Sequence, residues 1–273
     1  MRIGGSLGSM STATASKPTL ITLPVSLYNE FGRWSLDSAG VAYEEKRQAL
    51  MLHVFASRLK GGEGTTPVLR TSEQKLTDST SIAEYADAAA PDGAHIYPQD
   101  PEGRAEAREF VAAMTGEFGE ATRRMAWEFL PDDVPTIERY WTPGVPSWQA
   151  RAMPVLLKTG KPIVKHSLGL TPEKLAAAPV KVGEVLDQVA ERLADGRRFL
   201  NGDFFGIHDI VFAAMASPAI CPTAGYPVPH FQPEDFRAVH ADRIRGFREH
   251  PAGAFAMRLY AENRTPATPG SYA

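Results

Sequence analysis

The sequence predicts a mixed α/β module over residues 17–92 followed by an all-helical domain over residues 98–265. Three observations lead there. Up to residue 92, short apolar runs of strand length alternate with segments of helical period. The stretch Thr65 to Ala86, TTPVLRTSEQKLTDSTSIAEYA, sets strand, polar turn, strand and helix in quick succession. From Pro101 onward, apolar residues recur mainly at steps of three and four.

In order, Thr19 to Val25 is a strand running into Ser26-Leu27-Tyr28-Asn29, after which Phe31, Arg33 to Leu36 and Ala39 fit a helix closed by Gly40. Val41 to Arg47 reads as the next strand, and Gln48 to Leu59 as a second helix that Gly61 to Gly64 breaks. Val68 and Leu69, then Lys75 to Thr77, form two strands about the turn Thr71 to Gln74, and Ile82, Tyr85 and Ala86 resume helical spacing. The order βαβ then ββα is that of a thioredoxin-like module, a mixed sheet with helices on its faces. Asp78 to Ser81 stand where the last of these helices begins. Such residues cap orphan backbone donors with their own oxygens; alternatively, the first-turn N–H groups and the helix dipole hold a carboxylate of a ligand.

In the second domain, Asp100 caps and Pro101 opens one long amphipathic helix carrying Phe110, Met114, Phe118, Ala121, Met125 and Phe129. Pro131 to Pro162 has no clear period and is expected to be irregular, with a short helix around Trp148 to Leu157. Thr171-Pro172 starts a helical region, interrupted by Pro179, with Val182, Val185, Leu186, Val189 and Leu193 on one face. Ile207 to Ala216 is apolar all round and so a central buried helix. The prolines at 218, 222, 227, 229 and 233 then call for a long loop before the last helices, Glu234 to Glu249 and Ala252 to Asn263.

A chain of 273 residues that is 43% hydrophobic has ample material for a core. Its net charge of -3 makes no electrostatic case for nucleic acid or an anionic membrane as partner. One cysteine, Cys221, excludes an internal disulfide framework and points to a reducing compartment, with the cytoplasm expected. No run approaches the length of a bilayer span, and Met1 to Ser16 reads as a tail or tag with Met10 as the natural start. Cys221, set before Pro222, reads as a small buried hydrophobe, and His208 as a satisfied core histidine. His230, His240 and His250 lack metal-ligand spacing, so no metal is implied.

Particular residues carry a family resemblance. Thr66-Pro67-Val68-Leu69 and Leu76-Thr77-Asp78-Ser79 with Ile82 and Tyr85, then Arg33 to Leu36, Gly40 and Tyr43-Glu44, resemble the glutathione S-transferase superfamily, as do Leu200 to Asp203 and Asp209-Ile210 in the second domain. The resemblance implies a glutathione transferase fold from about Thr19 to Ala261. It implies that the backbone of Thr66, before a cis Pro67, pairs with the cysteinyl amide of glutathione, and that Asp78 and Ser79 hold the γ-glutamyl end. It also places Ser26 where many members keep the serine that donates a hydrogen bond to the glutathione sulfur. Leu27 stands where relatives often have proline, and Tyr28 and Asn29 are further candidates for that donor. Read without the resemblance, Ser26 is a strand-to-helix cap.

An ordinary thiol with a pKa near roughly 8.5 is mostly protonated at neutral pH, and lowering it by about two units needs about 2.7 kcal/mol of preferential thiolate stabilisation. One hydroxyl and a helix N-terminus suffice for that. The resemblance thus implies glutathione as co-substrate, a small hydrophobic electrophile as acceptor and a homodimer. Leu27, Trp127, Tyr140 and Trp141 are candidate walls of the acceptor pocket, or else helical-domain core. Arg58 or Lys60 is a candidate for the glycine carboxylate, or solvated surface. The reading from another class is a binding or interaction module that keeps the fold without turnover.

Overall fold

The first apolar run forms β1 (Thr19–Thr22), the inner strand on which the N-terminal domain is hung. In this computed structural model the described residues are 17–50, 52, 65–130, 133–155, 166 and 169–265. β1 pairs in parallel with β2 (Glu44–Arg47) and antiparallel with β3 (Val68–Arg70), which pairs antiparallel with β4 (Lys75–Leu76). The sheet order is therefore β2-β1-β3-β4, mixed as the sequence order requires. Helices α1 (Leu27–Ser38) and α2 (Ser79–Ala88) pack on each other, a Cβ added at Gly32 lying 3.5 Å from the Pro67 ring and 3.6 Å from Ile82. Together these form a thioredoxin-like domain followed by a mostly helical one. The helix expected from Gln48 to Leu59 falls mainly outside the described residues, as do Arg58, Lys60 and residues 1–16.

The edge strand β2 turns charge inward. Glu45 and Arg47 are buried, Glu45 lying 2.5 Å from Arg33 Nε of α1 and 3.0 Å from Arg47 Nη2, while Thr22 Oγ1 donates to it at 2.5 Å. Inward charge of this kind also makes an edge strand a poor template for pairing with another chain.

Asp87, in the last turn of α2, joins the domains by accepting the N–H groups of Ile96 and Tyr97 at 2.8 and 2.9 Å and the Arg104 guanidinium at 2.8 Å. Helix α3 (Pro101–Ala113) starts on the Asp100 cap. The single long helix expected from here to Phe129 is instead two: a π-type segment, Met114–Phe118, with Gly116 at φ −78° and ψ −109°, separates α3 from α4 (Gly119–Phe129). Apolar period alone does not report such a bulge. Where an irregular stretch was expected after Pro131, the described residues form α5 (Val134–Trp141), and residues 147–155 are helical, in line with the short helix expected around Trp148.

Pro179 does not interrupt α6 (Pro172–Leu193). A helix-interior proline costs about 3 kcal/mol, whereas each buried aliphatic side chain contributes about 1.5–3 kcal/mol. The buried face of Ala178, Val182, Val185, Leu186 and Val189 outweighs it. Pro218 too lies inside its helix, so α7 runs from Ile207 to Ile220 and ends at Cys221 with φ +46°. Almost wholly buried, α7 packs against α1, α4 and α9 (Pro251–Glu262) and is the axle of the molecule; α8 (Ala238–Glu249) and a 3-10 turn, Pro233–Asp235, complete the domain. Its start is a capping arrangement in which Asp209 accepts Leu200 N–H at 2.9 Å and Gly206 N–H at 3.1 Å. Glycine stands at 206 because a Cβ there would sit 2.6 Å from the Ile96 carbonyl oxygen.

Candidate functional site

The register of the sheet gathers the candidate residues at one end. Ile21 of β1 pairs with Val68 at the start of β3, and Leu69 of β3 with Leu76 at the end of β4. The chain leaving β1 at Ser26, the chain entering β3 at Thr66-Pro67 and the chain leaving β4 at Asp78-Ser79 therefore all lie at that end. Helices α1 and α2 both begin there, so two sets of orphan N–H groups and two positive dipole ends face the same region. That is a field suited to an anionic ligand.

Ser26 is the N-cap of α1, in extended conformation at φ −165° and ψ 127°. Its carbonyl accepts the first helical bond from Glu30 N–H at 2.8 Å, but its hydroxyl makes no cap hydrogen bond. A serine here ordinarily turns its oxygen onto the N–H of the second or third helical residue. Its backbone N–H instead donates to Tyr226 Oη at 3.1 Å.

Asp78 behaves differently. Its carboxylate accepts Ser81 N–H at 2.8 Å and the Ser81 hydroxyl at 2.7 Å, so it caps α2. Ser79 behind it is buried. The Thr66–Pro67 peptide is cis, and Asn29 Nδ2 donates to Thr66 Oγ1 at 3.2 Å. Asn29 is wholly buried and ties α1 to the Thr66 segment.

Tyr28 points the other way. Its hydroxyl donates to the Thr115 carbonyl in the π-type segment at 2.9 Å, which anchors α1 to the helical domain. Burial pushes its phenol upward, partly countered by Arg123, whose guanidinium lies 5.8 Å from the ring centre. Of the three candidates for the sulfur donor, Ser26 is thus the one whose side-chain donor is not engaged in the fold.

Among the candidate wall residues, Leu27 is buried in the first turn of α1. Tyr140 belongs to the interior of the helical domain: its hydroxyl donates to Asp235 at 2.7 Å and its ring lies 4.4 Å from that of Phe231. Trp127 and Trp141 are half-buried and meet edge to face at 6.0 Å. A separate cleft of about 340 Å³, lined by Asp37, Ser38, His95, Phe204, Phe205 and Asn263, lies at the opposite end of α1 from Ser26. Cys221 is buried, and burial pushes its thiol up to about 12, which leaves it inert at neutral pH.

Sequence reasoning missed Tyr226. It sits in the proline-rich stretch after α7, where no period exists, and no local signal marks it.

Residues 20–94 match the family model described as glutathione S-transferase, N-terminal domain. The chain carries a glutathione S-transferase N-terminal domain. Solved structures extend the likeness to the helical part. A glutathione S-transferase from Methylobacillus flagellatus KT with glutathione bound is 16% identical, covering 92% of this chain and 100% of that one at a TM-score of 0.56. The theta class glutathione S-transferase from Xanthomonas axonopodis pv. citri, also with glutathione bound, is 20% identical over 89% and 97% of the two chains at 0.53. The β-etherase LigF from Sphingobium sp. strain SYK-6 is 17% identical over 89% and 99% at 0.54. At such identities these structures establish the glutathione S-transferase fold and nothing finer. No curated protein sequence matches the chain.

Proposed function

We propose that this protein binds glutathione at the end of the sheet where α1 and α2 begin, and that Ser26 activates its thiol for attack on a small apolar electrophile. The observation that carries the reading is the Ser26 hydroxyl, which stands at a helix N-cap without making the cap bond. Glutathione is an anionic tripeptide, and the neighbours from Methylobacillus and Xanthomonas hold it on the same fold.

In this reading the backbone of Thr66 pairs with the cysteinyl amide, and Ser79 with the first-turn N–H groups of α2 receives the γ-glutamyl carboxylate. Asp78, already the cap, faces the γ-glutamyl ammonium. The Ser26 O–H donates to the sulfur, which favours the thiolate. The thiol proton leaves to solvent, and the sulfur lone pair forms the bond to the electrophilic carbon as the leaving group departs. Leu27, Trp127 and Trp141 form the apolar side toward the acceptor, with Tyr140 behind them in the core. The working unit is a homodimer through the two different domains, which a solution mass measurement checks.

The test is a glutathione titration followed by the ultraviolet absorbance of the thiolate across pH, on the parent and on Ser26→Ala. The parent should bind and ionise glutathione well below its free pKa; Ser26→Ala should still bind it with a pKa higher by about one unit, a thiolate population about tenfold smaller at pH values below both pKa values. Binding without any pKa shift in the parent would mark a module that holds glutathione without turnover. No binding would defeat the reading.

A further inference from the structure

From the geometry around the first turn of α1 we infer that Tyr226 is a positioning residue for the Ser26 hydroxyl, supplied by the helical domain to a thiol site in the other domain. This rests on the reading of Ser26 as the thiol-activating group. Tyr226 Oη accepts the Ser26 N–H at 3.1 Å, and its own O–H is directed at the Ser26 carbonyl at 3.4 Å, so one phenol spans both backbone polar groups of one residue across 200 positions of sequence. The ring is held in turn, with Tyr260 at 5.9 Å and His230 edge-on at 4.7 Å. Burial pushes the Tyr226 phenol upward, so it keeps its proton and serves as acceptor and donor at once.

The consequence follows from what a cap serine otherwise does. A serine at this position would lower the free energy of the helix start by folding its oxygen back onto the N–H groups of Tyr28 or Asn29. That bond engages the oxygen and fixes the hydroxyl away from any ligand. Here the backbone of Ser26 is held from outside by Tyr226, and the side chain is left without a cap bond. The first turn is fastened at two further points, Tyr28 to Thr115 and Asn29 to Thr66. With three external fastenings, the orientation of the turn does not depend on the Ser26 oxygen, which stays available to a sulfur. Removing the phenol oxygen leaves the Ser26 N–H without its acceptor and lets the residue relax into the ordinary cap.

The experiment is a double-mutant cycle on the thiolate pKa of bound glutathione, using Tyr226→Phe, Ser26→Ala and the two combined. Tyr226→Phe should raise the pKa by about half a unit to one unit, a threefold to tenfold change in the thiolate fraction, with native circular dichroism. Ser26→Ala should raise it at least as much, and the combination should equal Ser26→Ala alone, since Tyr226 acts only through Ser26. An unchanged pKa in Tyr226→Phe, or full addition in the combination, overturns the inference and leaves the assignment of Ser26 standing. An unchanged pKa in Ser26→Ala overturns both. Hydrogen exchange at the Ser26 amide in the free protein is independent of any ligand: protection should fall severalfold in Tyr226→Phe, and equal protection in parent and variant overturns the positioning contact on its own.

Discussion

Arg264 reaches back from the end of the described chain to Glu30 in α1, with Nε 2.6 Å from Oε1 and both side chains buried. The same guanidinium lies 2.7 Å from Asp37, one helical stretch further along α1, and 5.5 Å from the Trp34 ring centre. Arg33 stands 3.6 Å from Glu30 on the other side and links it to Glu45. A chain of charge thus runs from β2 through α1 to Arg264, two residues beyond the end of α9. Burial by itself drives Glu30 toward its neutral form, and Arg264 and Arg33 oppose it.

Removing one partner of such a buried pair leaves the other uncompensated. Arg264→Ala should therefore destabilise the fold by about 3–5 kcal/mol in a denaturant titration, and combining it with Glu30→Gln should recover part of that. Arg264→Lys should rescue little, because a single ammonium cannot reproduce a guanidinium that bridges Glu30 and Asp37. A loss below about 1 kcal/mol in Arg264→Ala would show that the strap contributes nothing to stability.

Glu45 sets an acid limit. Burial alone would raise its carboxyl, but Arg33 and Arg47 with the Thr22 hydroxyl outweigh burial and hold it at about 2, below the ordinary 4.5. A depressed folded pKa contributes stability that is present above the ordinary value and lost as pH falls toward the folded one. The term is about 3 kcal/mol, so stability should decline between about pH 4.5 and pH 2. Glu45→Gln should be less stable at neutral pH and show a shallower acid slope; an unchanged slope would exclude Glu45 as the sensor.

Two glycines should respond oppositely to alanine. A Cβ at Gly119 would lie 2.9 Å from Tyr28 Oη, 2.9 Å from Met215 Sδ and 3.1 Å from the Met114 carbonyl, so Gly119→Ala should cost about 1–3 kcal/mol and displace Tyr28 from Thr115. Gly183, inside α6, has nothing within 4 Å of such a Cβ. Gly183→Ala should stabilise by about 0.5–1 kcal/mol. Thermal unfolding of both variants decides the matter.

Cys221 should not react with a thiol reagent while the protein is folded and should react fully in denaturant, since its thiol is buried and pushed up to about 12. Rapid native labelling would mean that the end of α7 opens.

Much of the fold was legible because its signals are local. The caps Asp78 and Asp100, the closing Gly40, the short apolar runs of β1 and β3 and the continuous apolar run of α7 each follow from a few neighbouring residues. The same locality explains the misreadings. A proline at 179 or 218 argues against a helix from its own chemistry, yet the burial around it, which depends on distant partners, decides the outcome. Gly116 looks like any glycine in an amphipathic run, and only the packing of α3 and α4 against α7 reveals the π-type segment that exposes the Thr115 carbonyl to Tyr28.

By itself, then, the sequence determined the order of the four strands and of α1 and α2, the helix starts at Asp78 and Asp100 and the family motifs at Thr66-Pro67 and Asp78-Ser79, since hydrogen-bond chemistry and side-chain period act over a few residues. Only the tertiary structure decided which hydroxyl of the first turn of α1 is left unengaged, which phenol holds Ser26 and which arginine clasps Glu30. Those contacts join residues 200 and 234 positions apart, and at such separation a partner is chosen by how the domains pack, which no local pattern encodes.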